Sequence, residues 1–209
     1  MKKSSALIML VPGLVILLVC LAIPLLRVLA PSIFSGDYPF SFYAEFFRDG
    51  YYLKIFLRTV KIAVITTAFC MAGGIPTAYF ISRCPKKYRG LLLALSIFPM
   101  MTNSVIRSFA WINILGSNGI VNKFLLAAGF VDKPAKLLYT DFAIIIGSIY
   151  LFLPLMIVTV TGVMENIDDD MMEAAQSLGA ARMEAFMKVV FPMSLPGIIV
   201  GGILVFTGT

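Results

Sequence analysis

The chain has 209 residues, 60% of them apolar and 13% charged, with a net charge of +6, a mean hydropathy of +0.95 and no histidine. A soluble core of this length cannot hide so much apolar surface, so the solvent is largely lipid, which excludes a cytosolic enzyme, a secreted disulfide domain and a disordered regulator. Without His the chain also lacks the commonest general base and metal ligand. The positive charge suits basic cytoplasmic loops and calls for no nucleic-acid partner. Cys20, Cys70 and Cys84 are scattered and odd in number, with no metal-ligand spacing, and read as small hydrophobes.

Five apolar runs are long enough to cross a bilayer at about 20 residues each: residues 6–26, 62–82, 91–111, 142–164 and 189–207. Lys2 and Lys3 precede the first, and Val28-Leu29-Ala30 looks like a signal cleavage site. The apolar stretch exceeds the roughly 7–15 residues of a signal core, so it reads as a retained span. Together the runs predict an all-α, polytopic membrane helix bundle in one domain.

Arg83, Lys86, Lys87 and Arg89 form a dense basic turn between the second and third runs, with no acid among them. That pattern marks a cytoplasmic loop and places the N-terminus and residues 165–190 in the cytoplasm. The outer segments are not poor in cations, with Arg27, Arg48, Lys54, Arg58 and Lys61 interspersed with Asp37, Glu45 and Asp49. The density of the short turn therefore decides the orientation.

Pro76, Pro99 and Pro154 each remove an amide donor inside a run, freeing the carbonyls of Ala72, Leu95 and Tyr150. Gly73-Gly74 and Gly197-x-x-x-Gly201-Gly202 let helix backbones approach closely. No acidic residue lies within the runs, which speaks against a proton relay, and no Gly-Lys dipeptide offers a phosphate-binding loop. Energy for active transport must come from a partner.

On the outer side, Tyr38, Phe40, Phe42, Tyr43, Phe46 and Phe47 suggest a stretch resting at the membrane interface, and residues 120–128 a short amphipathic helix. Either segment also suits docking of an external protein.

The loop at 165–190 reads as a helix, a stop and a second helix. Asp168, Asp169 and Asp170 favour a helix start, and Asp170 with Glu173 has capping-box spacing. Ala174, Ala175 and Gln176 continue the helix, and Gly179 ends it in the left-handed conformation. The second helix places Met183, Phe186 and Val190 on one face. Acids dominate the first helix, whereas a helix lying on a membrane favours Lys and Arg, so docking to a protein groove is the preferred reading.

Glu173-Ala174-Ala175, Gly179 and Val189-x-Phe191-Pro192 resemble the EAA loop of ABC importer permeases, with Val189 and Phe191 as apolar departures from its usual Ile and Leu. Phe98-Pro99-x-x-Thr102-Asn103-Ser104-x-x-Arg107, Leu115-Gly116-x-x-Gly119-x-x-Asn122, Leu138-Tyr139-Thr140 and Ile146-Gly147-x-x-Tyr150-x-x-Leu153-Pro154 look like spermidine/putrescine-type permeases. The resemblance implies a type I importer permease in a bacterial inner membrane, with six spans of which the last is missing here. It implies a sister permease, a pair of ATP-binding subunits carrying ATP-Mg, and an extracytoplasmic solute-binding protein. Met172, Glu173, Ala174, Ala175, Leu178 and Gly179 would then form the ATPase-coupling helix and its stop.

Asn103, Ser104, Arg107 and Tyr150 are the candidates for a solute path. Snorkelling or a helix-end contact is the plainer reading of Arg107, and packing that of Tyr150. A polyamine asks for carboxylates or aromatic faces, and the spans hold no carboxylate, so other small polar solutes stay open. An intramembrane enzyme lacks a nucleophile–base constellation. An ATP-independent channel or carrier lacks the in-span charges it would use.

Overall fold

The computed structural model describes residues 3–34 and 39–209; Lys2, Asp37 and Tyr38 lie outside them. Among the described residues every regular element is helical, and the chain divides into two compact units, 1–58 and 59–209.

In the first unit, α1 (Lys3–Phe34) presents apolar side chains such as Leu17, Leu26 and Val28 outward, as a helix surrounded by lipid does. A short α2 (Ser41–Arg48) follows; the Phe40 amide, in a left-handed residue, donates to the Ile33 carbonyl, and Ser32 and Tyr43 share a 2.6 Å hydroxyl bond. Phe46 meets Phe47, Tyr52 and Phe56 with ring centroids 5.3–6.1 Å apart. Clustered aromatics of this kind suit the level of the lipid headgroups.

The second unit is built on α3 (Gly50–Arg83) from Thr59 onward, α7 (Asp141–Met164) and α10 (Phe191–Gly208), whose buried residues Cys70, Ala78, Met156, Val160, Met164, Ile198 and Val205 form one core. Glycines bring these helices together. A Cβ on Gly74 would lie 2.7 Å from Met156 Cγ, and one on Gly201 would lie 2.7 Å from Met156 Sδ, so Met156 fills the notch that both vacate.

The run at 91–111 is not one straight helix. It divides into α4 (Lys86–Met101) and α5 (Ser104–Leu115), with α5 and the following α6 (Ile120–Ala127) bent 86° from α4. Thr102 and Asn103 are extended; the Thr102 hydroxyl bonds the Pro99 carbonyl, and Asn103 Oδ1 accepts from the Val105 amide at 2.8 Å. Side chains that satisfy the backbone locally offer an alternative to the helical ladder, and here they stop and restart it. Among the described residues four helices are long and apolar enough to cross a membrane, or five if the bent pair counts as one.

At the α5–α6 corner Asn122 is fully buried. Its Nδ2 donates to the carbonyls of Gly116 and Ala135 at 2.9 and 3.0 Å, and its Oδ1 accepts from the Ala135 amide at 2.8 Å. The apolar Ile120 and Phe124 face outward instead. The amphipathic pattern is present, yet a polar residue holds the inner side.

Candidate functional site

The helix that begins the long loop is α8 (Asp169–Ser177). Its N-cap is Asp168, in extended conformation with no side-chain capping bond, and Asp170 lies inside the first turn. The expected Asp170–Glu173 capping box is therefore not formed; the Asp cluster acts through its charge at the positive end of the helix. The stop is as the sequence predicts. Gly179 has φ +94°, the Gly179 amide donates to Gln176 O at 2.9 Å and the Ala180 amide to Ala175 O at 3.2 Å, the paired bonds of a Schellman turn.

The helix is held from one side. Met172 is buried, and its sulfur accepts from the Tyr79 hydroxyl at 3.1 Å. Tyr79 also meets the Phe186 ring edge-on at 4.8 Å and lies beneath the Arg83 guanidinium at 5.6 Å. Arg83 Nη1 donates to Ile167 O at 3.1 Å and pairs with Asp169, and Arg89 Nη1 reaches Glu165 at 3.2 Å. The basic turn between α3 and α4 thus clasps the acidic start of the long loop. Sequence reasoning used Arg83 and Arg89 for orientation alone. The signal for their pairing was the charge contrast between the two loops, a run of cations against Glu165, Asp168, Asp169 and Asp170.

The other side is open. Glu173 and Ala174 are exposed and Ala175 is half-buried, while Leu178 is 89% exposed. A leucine held that far into solvent on a capped helix is a knob without a hole. Of the predicted coupling residues, Met172 is buried, Ala175 packs beside it on the loop core, and Glu173 borders a polar cavity with Arg83 and Arg182.

Beyond Gly179, α9 (Arg182–Ala185) passes through a π-turn at Phe186–Val190 into α10, where Pro192 lacks an amide donor. Met183 and Phe186, expected on one face, line one cavity, with Met183 71% exposed at its rim. Val190 instead turns into the core with Ala185, five positions apart, the spacing that a π-turn brings onto one face. Downstream on this surface, a hydrogen bond from Lys188 at 2.6 Å holds the Glu184 carboxyl below its ordinary range.

The solute-path candidates separate. Asn103 caps α5 and Ser104 begins it, and both are exposed. Arg107 and Tyr150 come together with Thr102, Trp111 and Ile114 around a cavity of about 300 Å³. Trp111 meets Tyr150 edge-on at 5.8 Å. Composition alone gave no reason to single out Trp111; only the packing of α5 on α7 does. Among the described residues no group of three His, Cys, Asp or Glu is placed to hold a metal.

Residues 71–209 match the family described as "Binding-protein-dependent transport system inner membrane component". The chain is 38% identical over 157 residues to the spermidine/putrescine transport system permease protein PotB of Salmonella typhimurium (strain SL1344), covering 75% of this chain and 55% of that one. It is 37% identical over 190 residues to PotB of Haemophilus influenzae, covering 88% and 66%. The chain thus spans about half to two thirds of the length of these curated relatives. The fold is that of a chain in a crystal structure of a bacterial alginate ABC transporter in complex with an alginate pentasaccharide-bound periplasmic protein. That chain is 20% identical, with a TM-score of 0.76 over 95% of this chain and 70% of the other.

Proposed function

The chain belongs to the family of binding-protein-dependent transport system inner-membrane components, and from that membership we propose that it is a membrane-spanning subunit of an ATP-driven importer of polyamines such as spermidine or putrescine. In this reading it sits in a bacterial inner membrane with its N-terminus in the cytoplasm, beside a sister permease. An external binding protein delivers the solute, and a pair of ATPase subunits holds ATP and Mg. Glu173, Ala174, Ala175, Leu178 and Gly179 seat in a groove of the ATPase, and Met172 ties that seat to the spans.

The observation that carries the proposal is the two-faced α8. Its inner face is anchored to α3 through Tyr79 and Arg83, and its outer face ends in an exposed apolar knob. A helix held this way passes a push from a docked partner directly to a transmembrane helix. Co-purification from cells expressing the whole transporter tests it. Leu178→Asp should release the ATPase subunits while leaving the chain in the membrane; undiminished recovery of those subunits overturns the coupling role.

A specific observation keeps a second solute class in view. Arg107 lines the aromatic cavity, and a guanidinium there repels a dication. Uptake of radiolabelled putrescine by the Arg107→Gln variant separates the two. A polyamine path predicts uptake maintained or raised, and a path for an anionic solute predicts putrescine transport by neither form.

A further inference from the structure

One face of α5 carries a cation that the rest of the described chain leaves unpaired. Ile106, Arg107, Ala110, Trp111 and Ile114 recur at helical spacing along α5 and close the cavity of about 300 Å³ against Thr102 and Tyr150. Arg107 is half-buried. Among the described residues no oxygen accepts from its guanidinium, yet none of its nitrogens is fully enclosed, so the charge bears on the cavity. A cation without a counter-ion inside an apolar bundle marks a functional position.

A guanidinium stays protonated in proteins, so this charge is permanent. The wall around it is mostly apolar and aromatic, and the Thr102 hydroxyl is already engaged by the Pro99 carbonyl. In surroundings of low dielectric the repulsion of a second cation is several times what it is in water. A small inorganic cation entering here meets that repulsion and finds no carboxylate to replace its water shell. A polyamine meets the same charge, but its ammonium groups sit on an apolar chain. They can lie against the π faces of Trp111 and Tyr150, whose rings stand edge to face at 5.8 Å.

The driving forces differ as well. A membrane potential negative inside draws inorganic cations inward without ATP, so a path open to them dissipates it. On the reading that the α5–α7 cavity belongs to the solute path, we propose that Arg107 is a specificity-determining residue. It is a fixed positive charge that bars protons and small inorganic cations, while a polyamine driven by ATP passes.

The test uses the whole transporter reconstituted in dioleoylphosphatidylcholine vesicles. Decay of proton and K⁺ gradients is read with an internal pH dye and a K⁺ electrode, at rest and during ATP hydrolysis. Vesicles with the wild-type chain should hold both gradients. Arg107→Gln should speed their decay at least about tenfold, and Arg107→Lys, which keeps the charge, should hold them. Permeation of neutral erythritol should be the same in all three. A Gln variant as tight as wild type overturns the proposal, as does a Lys variant as leaky as Gln. Erythritol leak rising with the cation leak would make the side chain a plug, and a chloride flux present in wild type and lost in Arg107→Gln would make the cavity an anion site; either overturns it too. ATP-driven putrescine uptake in the same vesicles reads the importer role separately. Uptake with no cation leak in Arg107→Gln removes the barrier and leaves the polyamine reading standing. No uptake by wild type, with cation leak confined to Arg107→Gln, keeps the barrier and removes the polyamine.

Discussion

The Tyr79 hydroxyl and the Met172 sulfur lie 3.1 Å apart although 93 positions separate them in the chain. The hydrogen bond itself is weak, because a thioether is a poor acceptor. The buried thioether matters more, since Met172 fills the space between Tyr79 and the loop core of Ile167, Ala185 and Val190.

Removing each half of that contact should therefore have unequal effects. Tyr79→Phe keeps the ring against Phe186 and is expected to cost less than about 1 kcal/mol. Met172→Ala leaves a cavity and should cost about 2–3 kcal/mol of local stability. Amide hydrogen exchange over residues 165–182 reads both. Equal acceleration in the two variants would mean that the hydrogen bond, rather than the packed sulfur, fastens the loop.

Gly179 sets the direction in which the chain leaves α8. Its φ of +94° is a conformation that an L side chain resists, although nothing lies within 4 Å of where a Cβ would stand. The penalty is thus conformational rather than steric with neighbours. Gly179→Ala should cost about 1–2 kcal/mol, and Gly179→Val more, because β-branching narrows the backbone choice further. Initial rates of solute uptake by the reconstituted transporter should fall in the order Gly, Ala, Val at constant membrane abundance. A valine variant with wild-type rate would remove the turn from any part in coupling.

What the sequence revealed and what it concealed divide along a physical line. Apolar runs, the stop at Gly179 and the close-approach glycines are local or periodic properties, and each stood in the chain before any packing was known. The break at Thr102-Asn103 was hidden because hydropathy does not sense side chains that satisfy the backbone. The pairing of Arg83 with Asp169, the meeting of Trp111 with Tyr150 and the three bonds of Asn122 join residues that only the fold brings together. Val190 turns into the core with Ala185 because a π-turn shifts the helical period on which the shared face rested.

Asn122 is the most demanding of these positions. Its amide supplies two donor bonds and one acceptor bond to the backbone, all buried. Asn122→Leu would leave the Ala135 amide without a partner and take one of two donors from each carbonyl, since the Gly119 and Leu137 amides still reach Gly116 O and Ala135 O, at about 1–3 kcal/mol. Asn122→Asp is the sharper test. It keeps the acceptor for the Ala135 amide but removes both donors and buries a charge, so it should destabilise at least as much as Leu. Thermal unfolding of the purified protein in detergent gives the order; an Asp variant close to wild type would show that the Gly119 and Leu137 amides alone satisfy the two carbonyls and that the site tolerates the carboxylate.

The glycines of α10 make a graded prediction, because the atoms facing them differ in stiffness. A Cβ at Gly197 would lie 2.6 Å from Val163 Cγ2 and 2.9 Å from Val163 Cβ, whereas one at Gly201 would meet the Met156 sulfur at 2.7 Å. Valine in a helix has one strongly preferred rotamer and cannot swing aside, while methionine has flexible bonds to adjust. Gly197→Ala should therefore cost about 2–3 kcal/mol and Gly201→Ala nearer 1, although both replace the same hydrogen with the same methyl. Val163→Ala removes the 2.6 Å contact but keeps the Cβ at 2.9 Å, so it should restore part of what Gly197→Ala loses and do nothing for Gly201→Ala. The double variants are read as shifts in unfolding temperature against each single change. Equal losses at the two glycines would mean that the stiffness of the facing side chain does not set the cost, and no loss at either would mean that α7 and α10 separate by a few tenths of an ångström without penalty, so that close approach is not what these glycines supply.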